Sequence, residues 1–262
     1  MIHIEYFTFN PFQERCCIAW DTNGYCAFVD PGCYDSDEFS RLTEFVSKHN
    51  LKPVCIMLTH AHFDHIYGMS ALAKEYGIPV YAHAEEAFTI ENTNPMVCKC
   101  YGLPLPELFP MVCEDSEKEL ASEFRPVAEG DIIKVGDLKF EVLETPGHSR
   151  GGLCFYERTE GILFSGDTLF AGAIGRTDHP GGDYDLLMKS IFEKLMILEG
   201  TVTVIPGHGP ETDIASERNT NPFLMPFNDR TKTNYNVWPA MNSRRIDVGG
   251  IAAISAGESS TI

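Results

Sequence analysis

The chain has 262 residues, 44% of them hydrophobic, which is enough apolar material for one substantial core. With 38 acidic against 20 basic residues its formal charge is −18, which argues against nucleic acid or anionic membranes as partners, because those surfaces are gripped by Lys and Arg. No apolar run is long enough to cross a bilayer, the first Lys or Arg is Arg15, and nine cysteines that include the adjacent Cys16 and Cys17 suit reduced thiols better than a disulfide scaffold. The expectation is a soluble, cytoplasmic protein that acts on a small molecule, with its oligomeric state open.

Ile2, Ile4 and Tyr6 alternate as in a half-buried strand, and two more strands follow over 15–20 and 25–29, joined by the turn Asp21-Thr22-Asn23-Gly24. Asp30-Pro31-Gly32 closes that unit. Ser36 or Asp37 can cap a helix whose apolar positions Phe39, Leu42, Phe45 and Val46 recur at helical spacing up to His49. Next comes an apolar strand, Val54-Cys55-Ile56-Met57-Leu58, which runs into Thr59-His60-Ala61-His62-Phe63-Asp64-His65. Residues 66–76 read as a helix ended by Gly77, and 79–82 as a short strand.

From about 92 to 126 periodicity fails among Pro95, Pro104, Pro106 and Pro110, apart from a short helix over 116–124, so this stretch reads as an inserted loop. Cys98, Cys100 and Cys113, loosely spaced and without a fourth nearby ligand, make a weak case for a zinc clamp. Strands are expected over 131–135, 138–143, 152–156, 162–164 and 201–205, with a helix over 185–198. Two strand-rich halves with helices between them predict an α/β protein, a four-layer αββα sandwich of two facing sheets with helices outside. The main domain is set at 1–227, and 228–262 form a C-terminal tail, loosely ordered or docked, that Trp238 could anchor.

The cluster after the apolar strand carries the chemistry. If strand alternation persists through its exit, His60 and His62 face one target while Asp64 and His65, beyond the turn, reach a second. Three later strands end in Gly-containing turns that present His148, Asp167 and His208. Glycine lets the backbone approach an ion closely. Five histidines (60, 62, 65, 148, 208) and two aspartates (64, 167) suffice for two divalent ions if one aspartate bridges; the imidazole and carboxylate donors suit zinc, iron or manganese and leave the metal open, with zinc the first expectation.

His60-x-His62-x-Asp64-His65, followed in order by His148, Asp167 and His208, resembles the metallo-β-lactamase-fold superfamily. The aspartate at the third site, the Gly175-Arg176-Thr177-Asp178 and Gly181-Gly182-Asp183-Tyr184 segments and Pro206-Gly207-His208-Gly209-Pro210 are similar to hydroxyacylglutathione hydrolases (glyoxalase II) and their compact bacterial relatives. The resemblance implies that His60, His62 and His148 hold one metal, that Asp64, His65 and His208 hold the other, and that Asp167 bridges. It implies thioester hydrolysis by a metal-bridged hydroxide, with Asp64 and Asp167 at the catalytic centre. The residues after His208 do not read as the helical region with which full-length glyoxalase II grips glutathione.

Arg176, Asp178 and His179 form a possible substrate loop. Arg176 could steer a substrate carboxylate or tie its own loop to Asp178, and His179 reads as either a solvated loop residue or a polar group at the site mouth. A rival from another reaction class is a persulfide dioxygenase, which this sequence also resembles. That reading implies a single iron held by His60 or its neighbour, His148 and Asp167.

Overall fold

The computed structural model describes residues 1–92 and 124–225, within the unit Met1–Asp229. The expected insertion apart from Asn92 and its last three residues, the short helix expected over 116–124 apart from Phe124, the cysteine group and the C-terminal tail with Trp238 lie outside the described residues.

Two six-stranded sheets face each other. In the first, β1 (His3–Phe9), β2 (Glu14–Trp20) and β3 (Tyr25–Val29) form an antiparallel meander, to which β4 (Lys52–Met57), β5 (Val80–Ala82) and β6 (Phe124–Pro126) add in parallel. The second is ordered β14-β13-β10-β9-β8-β7. It comprises β7 (Ile132–Val135), β8 (Leu138–Glu144), β9 (Leu153–Glu157), β10 (Ile162–Gly166), β13 (Thr203–Pro206) and β14 (Thr212–Asp213). Its one parallel pair is β10 with β13, joined by the helical crossover that such a pair needs. A separate ribbon pairs β11 (Leu169–Phe170) with β12 (Ala173–Ile174).

Strand alternation sorts the apolar residues into three cores, which define the four layers. Cys17, Ala19, Ala27, Val29, Phe140, Val142, Phe155 and Phe164 fill the space between the sheets. On the outer face of the first sheet, Ile18, Phe28 and Ile56 meet Leu42 and Val46 of α1 (Ser36–Lys48) and Leu72 of α3 (Met69–Tyr76). Outside the second sheet, Cys154, Leu163 and Val204 meet Leu187 and Met188 of α5 (Tyr184–Ser190) and Ile214 of α6 (Ile214–Thr220). The expected αββα sandwich is the architecture found.

Several elements differ in detail from the sequence reading. In β1, Ile2 and Ile4 pack only partly, Tyr6 is 38% exposed, and the deeply buried side chains are Phe7 and Phe9 on the opposite face. α1 is capped by Asp35 rather than Ser36 or Asp37, because Asp35 is the residue still extended (φ −134°, ψ 179°) and its carboxylate accepts the Glu38 N–H at 2.9 Å. The helix expected over 66–76 is two, α2 (Phe63–Ile66) and α3. At the break Gly68 donates to the Pro31 carbonyl at 2.9 Å, and a Cβ there would lie 1.9 Å from Cys33 Sγ.

The helix expected over 185–198 is capped by Asp183 and widens into a π-type turn over Ile191–Leu195. Phe124–Pro126, placed in the insertion by sequence, pair as β6. α4 (Glu86–Asn92), α6, β14 and the β11–β12 ribbon had no signal strong enough to single them out.

Candidate metal centre

Four strand ends meet at one edge of the sandwich. β8 and β10 are each antiparallel to β9, and β10 is parallel to β13, so β8, β10 and β13 run the same way and their C-terminal turns open on one side. Those turns carry His148, Asp167 and His208. The loop after β4 of the first sheet reaches the same edge, where the Leu153 N–H donates to the Thr59 carbonyl at 2.8 Å. β4 itself ends at Met57, short of His60, so strand alternation is not what aligns His60 with His62; the loop between them is held by tertiary contacts.

The seven residues singled out by sequence come together as two groups. Donor atoms of His60, His62 and His148 lie within 4.8 Å of one another, as do those of Asp64, His65 and His208. His148 Nε2 is 2.8 Å from His62 Nδ1, His65 Nε2 is 3.3 Å from His208 Nε2, and His208 Nε2 is 3.4 Å from Asp64 Oδ2. Asp167 stands between the groups: Oδ1 is 3.6 Å from His65 Nε2, while Oδ2 is 3.5 Å from His148 Nε2 and 3.7 Å from His208 Nε2.

The donors fit cations. His60 Nε2, His62 Nε2 and Asp167 Oδ1 are buried with no hydrogen-bond partner, a costly condition that a bound ion relieves. Burial, then the neighbouring histidines, hold His60 and His62 well below the ordinary imidazole pKa, and burial pushes His148 down to about 4. All three are thus neutral lone-pair donors, the form a metal requires. In the other group burial works against charging His65, yet the carboxylates of Asp167, Asp64 and Asp30 raise its pKa well above the ordinary value, and His208 is raised in the same way by Asp167 and Asp64. A cation bound at this half of the site would therefore displace protons.

Second contacts orient the rings, and sequence reasoning missed them. Asp30 was read only as the end of β3, yet it is 2% exposed and its carboxylate accepts the Thr59 N–H at 2.7 Å, the Thr59 hydroxyl at 2.5 Å and His65 Nδ1 at 3.1 Å. The parallel pairing of β3 with β4, which the structure supplies, sets the residue after one strand beside the loop after the other. Thr59 Oγ1 is 3.0 Å from His60 Nδ1, and the Arg176 carbonyl accepts from His148 Nδ1 at 2.8 Å, so both rings turn Nε2 inward. Asn10 Nδ2 donates to the Asp64 and Gly32 carbonyls at 2.9 and 3.0 Å.

Glu86 holds the loops of His60, His62 and His148, and neither it nor Asn10 carries a local sequence signal. Glu14 is fully buried beside Gly32 with both carboxylate oxygens unpartnered, and burial raises its pKa well above the carboxylate range. At Gly207 the backbone packs directly on two of the candidate ligands, since a Cβ there would stand 2.5 Å from Asp167 Oδ1 and 2.6 Å from His65 Cε1.

A cleft of about 410 Å³ is lined by His148, Asp167 and His208, by the apolar Phe170, Ala171, Ala173, Ile174 and Pro210, and by Arg176. Arg176 forms a two-pronged pair with Asp178, Nε to Oδ1 at 2.8 Å and Nη2 to Oδ2 at 3.0 Å, so it does tie its own loop. His179 is not a solvated loop residue: its ring packs edge-on against His62 and His148, with centroids 4.6 and 4.9 Å away.

The family model described as the metallo-beta-lactamase superfamily matches residues 10–208. Hydroxyacylglutathione hydrolase GloC of Haemophilus influenzae is 34% identical over 223 residues, covering 85% of this chain and 98% of that protein. Among solved structures, the BLEG-1 B3 metallo-beta-lactamase superposes with a TM-score of 0.72 at 32% identity, covering 85% of this chain and 99% of that one. The structure of TTHA1623 in a di-iron-bound form gives 0.69 at 35% identity, covering 84% and 100%. On its sequence, its fold and the convergence of its histidines, the chain belongs to the metallo-beta-lactamase superfamily.

Proposed function

We propose that the protein is a binuclear metal-dependent hydrolase that cleaves an acyl thioester of the S-acylglutathione type, in the manner of glyoxalase II-like enzymes. The observation that carries this reading is the pair of donor groups with Asp167 reaching both. His60, His62 and His148 would hold one divalent ion, Asp64, His65 and His208 the other, with Asp167 between them. Bound there, the ions would supply Lewis acidity toward a carbonyl oxygen and a water of lowered pKa. Zinc is the first expectation for this thiolate-free set, and iron is its main competitor, given the di-iron form of the 35% identical TTHA1623.

The remaining work falls to the chain's own residues. The apolar walls of the cleft suit an acyl group, and Arg176 and His179 stand where polar parts of a substrate would be oriented. A thiolate whose conjugate acid has a pKa of about 8.5 leaves without a dedicated general acid, so the reading requires no proton donor beside the cleft. The relative named hydroxyacylglutathione hydrolase supports the substrate class.

The proposed setting is the cytoplasm, with a small-molecule substrate. The described cysteines Cys16, Cys17, Cys26, Cys33, Cys55 and Cys154 are buried and unpaired, as a reducing compartment keeps them. Among the described residues no helix is long and apolar enough to cross a membrane. A formal charge of −18 disfavours nucleic acid and anionic lipid as partners.

The test is turnover of S-lactoylglutathione and a panel of other acyl thioesters by metal-loaded protein, with His62→Ala as the inactive control. No turnover across the panel refutes the assignment. The dioxygenase reading uses only one iron and leaves Asp64, His65 and His208 without a role, which is why hydrolysis is preferred. One iron per chain with oxygen uptake on glutathione persulfide would reverse that preference.

A further inference from the structure

Glu86, the first residue of α4, is 1% exposed and faces no cation among the contacts described for it. All its partners are donors. Oε2 accepts the Ala61 N–H at 2.6 Å, and Oε1 accepts the Ser149 hydroxyl at 2.6 Å and the Gly151 N–H at 2.9 Å. Ala61 lies between His60 and His62, and Ser149 follows His148. These two loops leave different sheets, one after β4 and the other after β8. One buried carboxylate thus bolts together the loops that carry all three histidines of the first donor group.

The second group is supported elsewhere. Asp30 holds His65, and Asn10 holds the Asp64 carbonyl. Among the described residues, the Glu86 carboxylate makes no hydrogen bond to Asp64, His65, His208 or Asp167.

We propose that Glu86 is a positioning residue that sets the metal affinity of the His60/His62/His148 group without setting that of the Asp64/His65/His208 group. This rests on the reading that both groups hold ions and not on the thioester as substrate. The chemistry requires an acceptor at both carboxyl oxygens. A glutamine of the same shape must turn its NH2 toward either the Ala61 N–H or the Gly151 N–H, setting donor against donor, and one loop must move. Removing an outer partner of a ligand typically weakens metal binding by roughly 10–100-fold.

The experiment is titration of Co²⁺ into metal-free full-length protein, followed by visible absorption and by competition with a chromophoric chelator. Wild type, Glu86→Gln and Ser149→Ala are compared, with the thermal midpoint of each metal-free protein as a control for folding. Glu86→Gln is expected to weaken one of two equivalents by roughly 10–100-fold and to leave the other unchanged. Ser149→Ala, which removes only one of the hydrogen bonds to the Glu86 carboxylate and is the milder change, should weaken the same equivalent by a smaller factor; it carries the test alone if Glu86→Gln does not fold. Two equivalents with unaltered affinities, or both weakened equally, overturn the proposal while the metal reading stands. Wild-type protein that binds no Co²⁺ overturns the metal reading and this inference with it.

Discussion

Substituting Asp30 by asparagine tests how the second half of the site is held. The carboxylate can only accept, so it keeps a proton on His65 Nδ1, and Nε2, which faces His208 Nε2 at 3.3 Å and Asp64 Oδ2 at 3.9 Å, is the nitrogen that would give up its proton to a cation. In Asp30→Asn one oxygen still accepts the Thr59 N–H, but the amide NH2 then faces His65 Nδ1 and favours the opposite tautomer, with the proton on Nε2. The ring would present N–H where a ligand is needed. Disturbance of such a partner costs roughly 10–100-fold in metal affinity, which at about 1.4 kcal/mol per factor of ten is about 1.4–2.8 kcal/mol. Thr59 also loses a charge-assisted bond from its hydroxyl, so folding stability should fall by about 1.5–3 kcal/mol. Chelator competition on metal-free protein measures the first effect and urea denaturation the second. Two metal equivalents bound by folded Asp30→Asn with wild-type affinities would refute the reasoning.

Three further changes separate the roles of the neighbouring residues. Gly207→Ala puts a Cβ 2.5 Å from Asp167 Oδ1 and 2.6 Å from His65 Cε1, so it should lower metal content measured by elemental analysis while the far-ultraviolet circular dichroism stays native. Arg176→Ala removes an exposed pair with Asp178 that is worth at most about 1 kcal/mol, so the melting temperature should hardly move; a raised KM with unchanged kcat is expected if Arg176 orients substrate. Burial opposes ionisation of Asp21, but the N–H groups of Asp137, Tyr25 and Asn23 outweigh it and hold the carboxyl below its ordinary pKa. A depressed folded pKa contributes stability above the unfolded value of about 3.9 and loses it as pH falls through the folded value. Asp21→Asn should therefore be about 1–2 kcal/mol less stable than wild type at pH 6, and urea titrations should show that gap closing below about pH 4.

The sequence by itself determined the layers and the candidate ligand set. The unbroken apolar runs in residues 16–20, 25–29 and 153–156 require strands buried on both faces, and helical spacing from Phe39 to Val46 requires a helix against them, which together admit few architectures. The histidine and aspartate cluster was legible because ligand chemistry is carried by residue type and the turns that present it are marked by glycine. What no local pattern records is which residues lie side by side after folding. Asp30, Asn10 and Glu86 support the ligands through bonds that span 22 to 65 positions of sequence. Their type suits a turn or a helix start as well as a site, so only the tertiary structure could assign them. The same holds for His179, whose loop position gave no hint that its ring packs on His62 and His148. A spacing along the chain can say that His60 and His62 belong together. That His148, from the other sheet, completes their group depends on the direction of β8 and on the Glu86 carboxylate that joins the two loops.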